Sequence, residues 1–163
     1  AKAGLLLGRA SYVQDAVKQF FLHAKYLYDR ETGLWFHGWS FLGRHNFGRV
    51  RWARGNCWIT ISIPELVELL NLQPGDPTRD FLLDLLQNQA RALARLQRPS
   101  GLWCTVLDDA GAYEEASATA GFAYGILKAV RKGYIGREYL ETGVRAVKGL
   151  LEIISDDGEL TKV

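Results

Sequence analysis

The chain has no methionine and only two cysteines among its 163 residues. Cys57 and Cys104 are too few and too isolated for a disulfide framework or a zinc site, so they are expected as reduced, mostly buried thiols. Of the three histidines, His23 and His45 stand without a partner pattern, and neither a metal nor a cofactor is expected. The net charge is only +2, with Lys and Arg scattered, so no basic stripe argues for nucleic acid. No apolar run reaches membrane-spanning length and the start carries no signal-peptide pattern, so no membrane partner is expected and the location reads as cytoplasmic. A chain that begins Ala1-Lys2-Ala3 and lacks methionine is also expected to be a fragment or a processed piece.

What is present is 48% apolar residues, enough for the core of one domain over 1–163, and an internal repeat that organises it. Thr32-Gly33-Leu34-Trp35 recurs as Ser100-Gly101-Leu102-Trp103, with a weaker echo at Asp157-Gly158-Glu159-Leu160. Each copy follows an amphipathic helical segment. The first runs from Ser11, a candidate N-cap, through Val13, Val17, Phe20, Ala24 and Leu27. The second follows Pro77-Thr78, buries Phe81, Leu82, Leu85, Leu86, Ala90 and Leu93, and ends at Pro99 and Gly101. The third starts near Arg137, with Leu140, Val144, Val147, Leu150, Leu151 and Ile154 on its apolar side.

Between these helices lie segments apolar or small on every side, clearest in Ala116 to Leu127, and such a helix is a buried one. The unit is therefore an outer amphipathic helix, a Gly-Leu-Trp turn and an inner buried helix, and such two-helix units stack. Residues 58–63, Trp-Ile-Thr-Ile-Ser-Ile, alternate as a strand would. The repeat nevertheless demands an inner helix, starting near Asn56 and kinked by Pro64, and helix is the expectation.

The run Trp52-Ala53-Arg54-Gly55-Asn56-Cys57-Trp58 brings two indoles, a guanidinium and an amide to the mouth of that helix. Arg matches a carboxylate with a planar fork, Trp offers an apolar face to a sugar ring, and Asn donates and accepts hydrogen bonds. Together they suit an acidic sugar.

With Tyr28 to Trp39, the Ser100-Gly101-Leu102-Trp103 turn and Glu115-Ala116-Ser117-Ala118-Thr119-Ala120, this run resembles glycoside hydrolase family 105, the unsaturated rhamnogalacturonyl hydrolases. Family 88, the unsaturated glucuronyl hydrolases, is similar in fold and chemistry but usually has Gln where Asn56 stands. The resemblance implies an all-α fold, an (α/α)6 barrel of six helical hairpins, of which this chain supplies about half, three hairpins. Half a barrel exposes two apolar seams, through which self-association is expected. The implied substrate is an unsaturated uronyl oligosaccharide. In the family an Asp protonates the C4=C5 bond of a Δ4,5-unsaturated uronic acid, water adds at C5, and the hemiketal opens to release the neighbouring sugar. That Asp precedes the part matching Ala1, and its role is carried onto no residue of this chain.

The binding half of the site can be carried over. Arg54 would pair with the uronate, Trp52 and Trp58 would wall the sugar, and His37 would reach a substrate oxygen. Asn56 would either bond a sugar hydroxyl or cap the inner helix. Trp39 and Trp103 would border an outer subsite, while Glu115 reads better as a helix cap than as an acid. Two departures stand out: Cys57 where the family usually has Gly, beside the pocket, and Ser40 where an acid is usual. Besides the enzyme reading, a family 88-like glucuronyl hydrolase, a non-catalytic or vestigial carbohydrate-binding half-barrel and a helical-repeat interaction module remain open.

Overall fold

A computed structural model describes residues 1–163. In chain order its elements are α1 Lys2–Leu6, α2 Ala10–Leu27, α3 Ala53–Leu69, α4 Pro77–Leu96, β1 Trp103–Cys104, β2 Glu114–Glu115, α5 Ala116–Arg131, a 3-10 turn Arg137–Tyr139, and α6 Leu140–Leu151. Outer helices α2, α4 and α6 alternate with inner helices α3 and α5, which lie side by side, and α1 packs on α2. No helix is long and apolar enough to cross a membrane.

Local chemistry explains most of the boundaries. Asp76 caps α4, its carboxylate accepting from the N–H groups of Thr78 (2.8 Å) and Arg79 (3.1 Å), and Pro77 occupies the first turn, where no N–H is needed. Glu115 does the same for α5, accepting from Ser117 and Ala118. Helix α2 departs from expectation. Its N-cap is Arg9, with no side-chain cap, so Ser11 lies inside the first turn and caps nothing. Residues 58–63 are helical throughout, and α3 begins three residues before Asn56.

The two inner helices approach closely because small residues face each other. A Cβ at Gly121 would sit 2.8 Å from the sulfur of Cys57, and one at Gly125 would sit 2.4 Å from the carbonyl oxygen of Thr60. That carbonyl belongs to the residue four before Pro64, which has no N–H to offer it. Pro64 and Gly125 are thus parts of one contact. Cys57 accordingly sits between α3 and α5, not beside the pocket as its departure from the family pattern suggested.

The Gly-Leu-Trp turns fasten each unit to the next outer helix. Gly33 (φ +78°) lies against the Asn88 carbonyl of α4, and Gly101 (φ +87°) against the Arg145 carbonyl of α6, with no room for a Cβ at either. Gly158 repeats the conformation with φ +88° and faces open space. In all three turns one backbone bond recurs: Asp29 N–H to Leu34 O, Arg98 N–H to Leu102 O, and Ser155 N–H to Glu159 O.

Helix α6 corrects another expectation. Its buried stripe is Thr142, Gly143, Ala146 and Gly149, whereas Leu140, Val147, Leu151 and Ile154 stay more than a third exposed. Small residues win because the helix lies almost on its neighbours: a Cβ at Gly149 would be 2.2 Å from Ser100 O, and one at Gly143 would be 2.7 Å from Leu127.

Between α3 and α5, Lys128 is buried under Glu65 and Glu68, with the Tyr124 hydroxyl also on Glu65. Burial opposes the charge, but the two carboxylates outweigh it and hold the ammonium above its ordinary range.

Gly125→Ala is expected to cost roughly 1–3 kcal/mol, since the new methyl meets backbone that cannot rotate away. The check is the urea midpoint, and an unchanged midpoint would mean that α3 and α5 are not held at this distance.

Candidate functional site

The N-terminal end of α3 is assembled by strand-like contacts on either side of it. Trp52, the N-cap, bridges to Val106, and the Ala53 N–H donates to Thr105 O at 2.8 Å. On the other side the His37 N–H donates to Val50 O at 2.9 Å. Backbone alone therefore brings His37 and Trp52 together, and their rings meet edge to face at 5.0 Å. The Arg54 guanidinium stacks over the same indole at 4.8 Å.

Arg54 and Arg51 lie three residues apart and have opposite fates. Arg51 is consumed: Nε and Nη2 donate to Asp29 Oδ2 at 3.0 and 2.6 Å, and Nη1 to Asp108 Oδ2 at 2.5 Å. Arg54 has no carboxylate within 4.0 Å, and its Nε is buried without any partner. Within these residues Arg54 forms no salt bridge. Its charge is left for something else.

Trp58, one turn below Arg54, is 66% exposed in this chain. With His37 and Trp52 it lines a groove of about 430 Å³ between α2 and α3, within the range of small-molecule sites. The other groove residues are chiefly apolar, Phe20, Leu27, Phe36 and Ile59 among them, and none is an Asp or Glu. Arg54 is not on this lining; it stacks on Trp52, which is.

Asn56 is where the sequence reading needs correction. Its side chain is buried and fully spent: Oδ1 accepts from Trp35 N–H at 2.9 Å, and Nδ2 donates to Trp35 O at 2.8 Å and Trp52 O at 3.0 Å. It borders the groove, but its amide has no hydrogen bond left for a sugar hydroxyl, and it does not cap the helix, since it donates to the preceding carbonyl instead of accepting from the first N–H groups. Its job is to clasp the first Gly-Leu-Trp turn to α3. Thr119 does the corresponding work on the second turn, with Oγ1 accepting from Trp103 N–H at 3.2 Å.

Trp103 is fully buried with its indole N–H on Leu93 O at 2.9 Å, so it borders no subsite. Trp39 is half-buried against Tyr26. Glu115 is buried as the α5 cap. His23, on the α2 wall of the groove, bonds Gln19 O of its own helix at 2.7 Å, and His45 is exposed in a loop. The Cys57 thiol is pushed up to about 11 by burial and the nearby Glu115 charge, and is inert near neutrality. Sequence reasoning missed Arg51 with Asp29 and Asp108, because the partners lie far apart in the chain.

The Glycosyl Hydrolase Family 88 sequence model matches residues 1–163, the whole chain. The chain belongs to that family. This family 88 chain is 29% identical to the unsaturated rhamnogalacturonyl hydrolase YesR of Bacillus subtilis (strain 168), over 99% of its own length and 45% of that protein's. Among solved structures it superposes on a possible member of the GH105 family from Klebsiella pneumoniae subsp. pneumoniae MGH 78578 with a TM-score of 0.96 and 55% identity, covering 98% of this chain and 42% of that one. A counterpart from Salmonella enterica subsp. enterica serovar Paratyphi A str. ATCC 9150 gives 0.98 and 54%, covering 99% and 43%. The family 88 chain thus spans less than half the length of these relatives, and its helices form part of their (α/α)6 barrel fold.

Two outcomes are expected from this geometry. Asn56→Ala strands the Trp35 N–H and C=O in the interior and should cost at least roughly 2 kcal/mol in urea unfolding; a loss of less than about 0.5 kcal/mol would remove the clasp. Asp29 is the second. Burial raises its pKa, but hydrogen bonds from Thr32, Arg51 and the Glu31 N–H outweigh this and hold it below its ordinary 3.8. Its stabilising contribution is therefore present in full above about pH 4 and is lost as pH falls through the lower folded value. Asp29→Asn should flatten this acid limb of the stability profile, and an unaltered limb would show that the pair carries none of it.

Proposed function

We propose that this chain carries the substrate-holding wall of an unsaturated rhamnogalacturonyl hydrolase. Its substrates would be pectin-derived oligosaccharides ending in a Δ4,5-unsaturated uronic acid, met in the cytoplasm, where Cys57 and Cys104 stay reduced. The observation that carries the reading is the uncompensated Arg54 on the Trp52 face, beside His37 and above the exposed Trp58. A uronate supplies the anion that Arg54 lacks, and its ring supplies an apolar edge for the indoles. Similarity to a rhamnogalacturonyl hydrolase and to GH105-type structures supports this choice over a glucuronyl hydrolase.

The reaction protonates C4 of the vinyl ether and adds water at C5, which calls for one well-placed acid. No Asp or Glu lines the groove at Trp52 and Trp58. Asp29 and Asp108 are tied to Arg51, and Asp76 to the start of α4. The proton donor is therefore assigned to sequence outside these residues, and the binding function to the residues within them.

The conjugated double bond absorbs in the near ultraviolet, so hydration can be followed directly. The 163-residue chain alone is expected to bind an unsaturated disaccharide without consuming its absorbance; steady loss of absorbance would overturn the placement of the acid. Arg54→Ala should weaken binding by about 1.5–3 kcal/mol, the range for a hydrogen bond to a charged group. An unchanged dissociation constant would take Arg54 out of the site.

A further inference from the structure

Between His37 and Val50 the chain leaves the site and returns to it. The loop 38–49 is held in a definite shape. Ser40 N–H donates to His45 O at 2.9 Å across its neck, and Asn46 Nδ2 donates to Tyr26 O at 2.8 Å and Gly38 O at 3.3 Å, fastening it to the end of α2. Tyr26 packs against Trp39 at 5.2 Å and edge-on to Phe41 at 5.1 Å.

A loop built this firmly would be expected to turn its apolar groups inward, and it does the reverse. Phe41 is 72% exposed, Leu42 98% and Phe47 49%. Its charge is equally one-sided: residues 38–50 hold Arg44, His45 and Arg49 and no Asp or Glu. Neither arginine has a carboxylate within 4.0 Å. Arg49 instead lies 5.9 Å over Phe36, a groove residue, and Lys25 lies 5.2 Å over Tyr26. Both loop arginines hold left-handed backbone (φ 52° and 40°), which bulky L-residues rarely adopt. The result is a surface of aromatic faces and uncompensated cations, starting at His37 and continuous with the mouth of the site.

Resting on the function proposed above, we propose that the 38–49 loop is an outer platform for an anionic oligosaccharide. It would bind the uronate-bearing sugars beyond the terminal residue at Arg54 and Trp58. Aromatic faces take sugar rings, and guanidinium forks take carboxylates repeated along the chain. Continuity with the Arg54 end favours a glycan over a nucleic acid, for which the scattered charge of the rest of the chain offers no track.

The test is calorimetric titration of the 163-residue chain, at low salt, with saturated galacturonate oligomers of two and six units. The hexamer is expected to bind at least roughly ten-fold more tightly than the dimer, an advantage that falls with salt as charges are screened. Arg44→Ser/Arg49→Ser should abolish that ratio, and Arg44→Ser alone should reduce it while leaving dimer affinity and melting temperature unchanged, because the Arg44 side chain is exposed and stacks on no groove residue. Arg54→Ala should weaken both oligomers alike and preserve the ratio. Equal affinity for the two lengths, or a ratio indifferent to the loop variant, would overturn the platform. So would tighter, Arg44- and Arg49-dependent binding of single-stranded DNA or of phosphatidylglycerol vesicles. The functional reading fails separately, if an unsaturated dimer binds no better than a saturated one.

Discussion

The site depends first on the buried amide of Asn56. Three hydrogen bonds to the backbone of Trp35 and Trp52 tie a turn, the N-cap of α3 and the body of α3 into one piece. Gln89 of α4 extends the network, donating to Asn56 O at 3.0 Å and accepting from Thr60 Oγ1 at 3.0 Å. A polar network at this depth stabilises only when its groups are satisfied, and here the Asn56 and Gln89 amides and the Thr60 hydroxyl all are, while the Trp35 indole N–H beside them is left without a partner. His37 and Trp52 hang from opposite ends of the clasp. Their edge-to-face contact, and the Arg54 stack upon it, inherit their positions from it.

Charge is then partitioned around that frame. Arg51 and Arg54 project from the same short stretch, yet Arg51 is held by two carboxylates and Arg54 by none. Arg51 joins the first turn, through Asp29, to the loop after β1, through Asp108. It therefore braces the two sides of the α3 N-terminus against each other. Had one of those carboxylates reached Arg54, its charge too would have been compensated within these residues. Lys128, with Glu65 and Glu68, shows the same economy farther down α3 and α5, where opposite charges are paired and nothing is left for a ligand.

Much of this was legible in the sequence because it rests on local patterns. The Gly-Leu-Trp repeat marks turns that need positive φ and a missing Cβ at Gly33 and Gly101, and both requirements are local. The helical reading of residues 58–63 succeeded because the repeat outweighed a period-two pattern. The failures are tertiary. Asn56 looked like a sugar ligand because its partners, Trp35 and Gln89, lie far away in the chain. On α6, apolar spacing pointed to Leu and Val, but the backbone approach at Gly143 and Gly149 chose the small residues. Cys57 was read as intruding on the pocket, whereas Gly121 makes room for it on the other side of α3. In each case side-chain type was read correctly and its direction was not.

On the function proposed above, the groove between α2 and α3 takes the binding and leaves proton transfer to other sequence. A vinyl ether is protonated by an acid that can approach C4 in a site poor in water, so the donor must stand within hydrogen-bond reach of the ring. Near Trp52 and Trp58 the walls are mostly aromatic or aliphatic, joined by His23, His37, Gln19 and Ser62 but by no carboxylate, and the acidic groups Glu65 and Glu68 appear only along the lower stretch beside Ala1 and Lys2. Those two are already engaged with Lys128, and Glu68 with Lys132 as well, which depresses their pKa values and makes them poor proton donors. At the top the Arg54 guanidinium stacks on the indole of Trp52, which itself lines the groove. A uronate held at Arg54 would thus present its ring across Trp58, toward the open side of the groove. On the function proposed above the acid would come from that open side, since the wall opposite it holds imidazoles, amides and a hydroxyl among its apolar groups but no carboxylate.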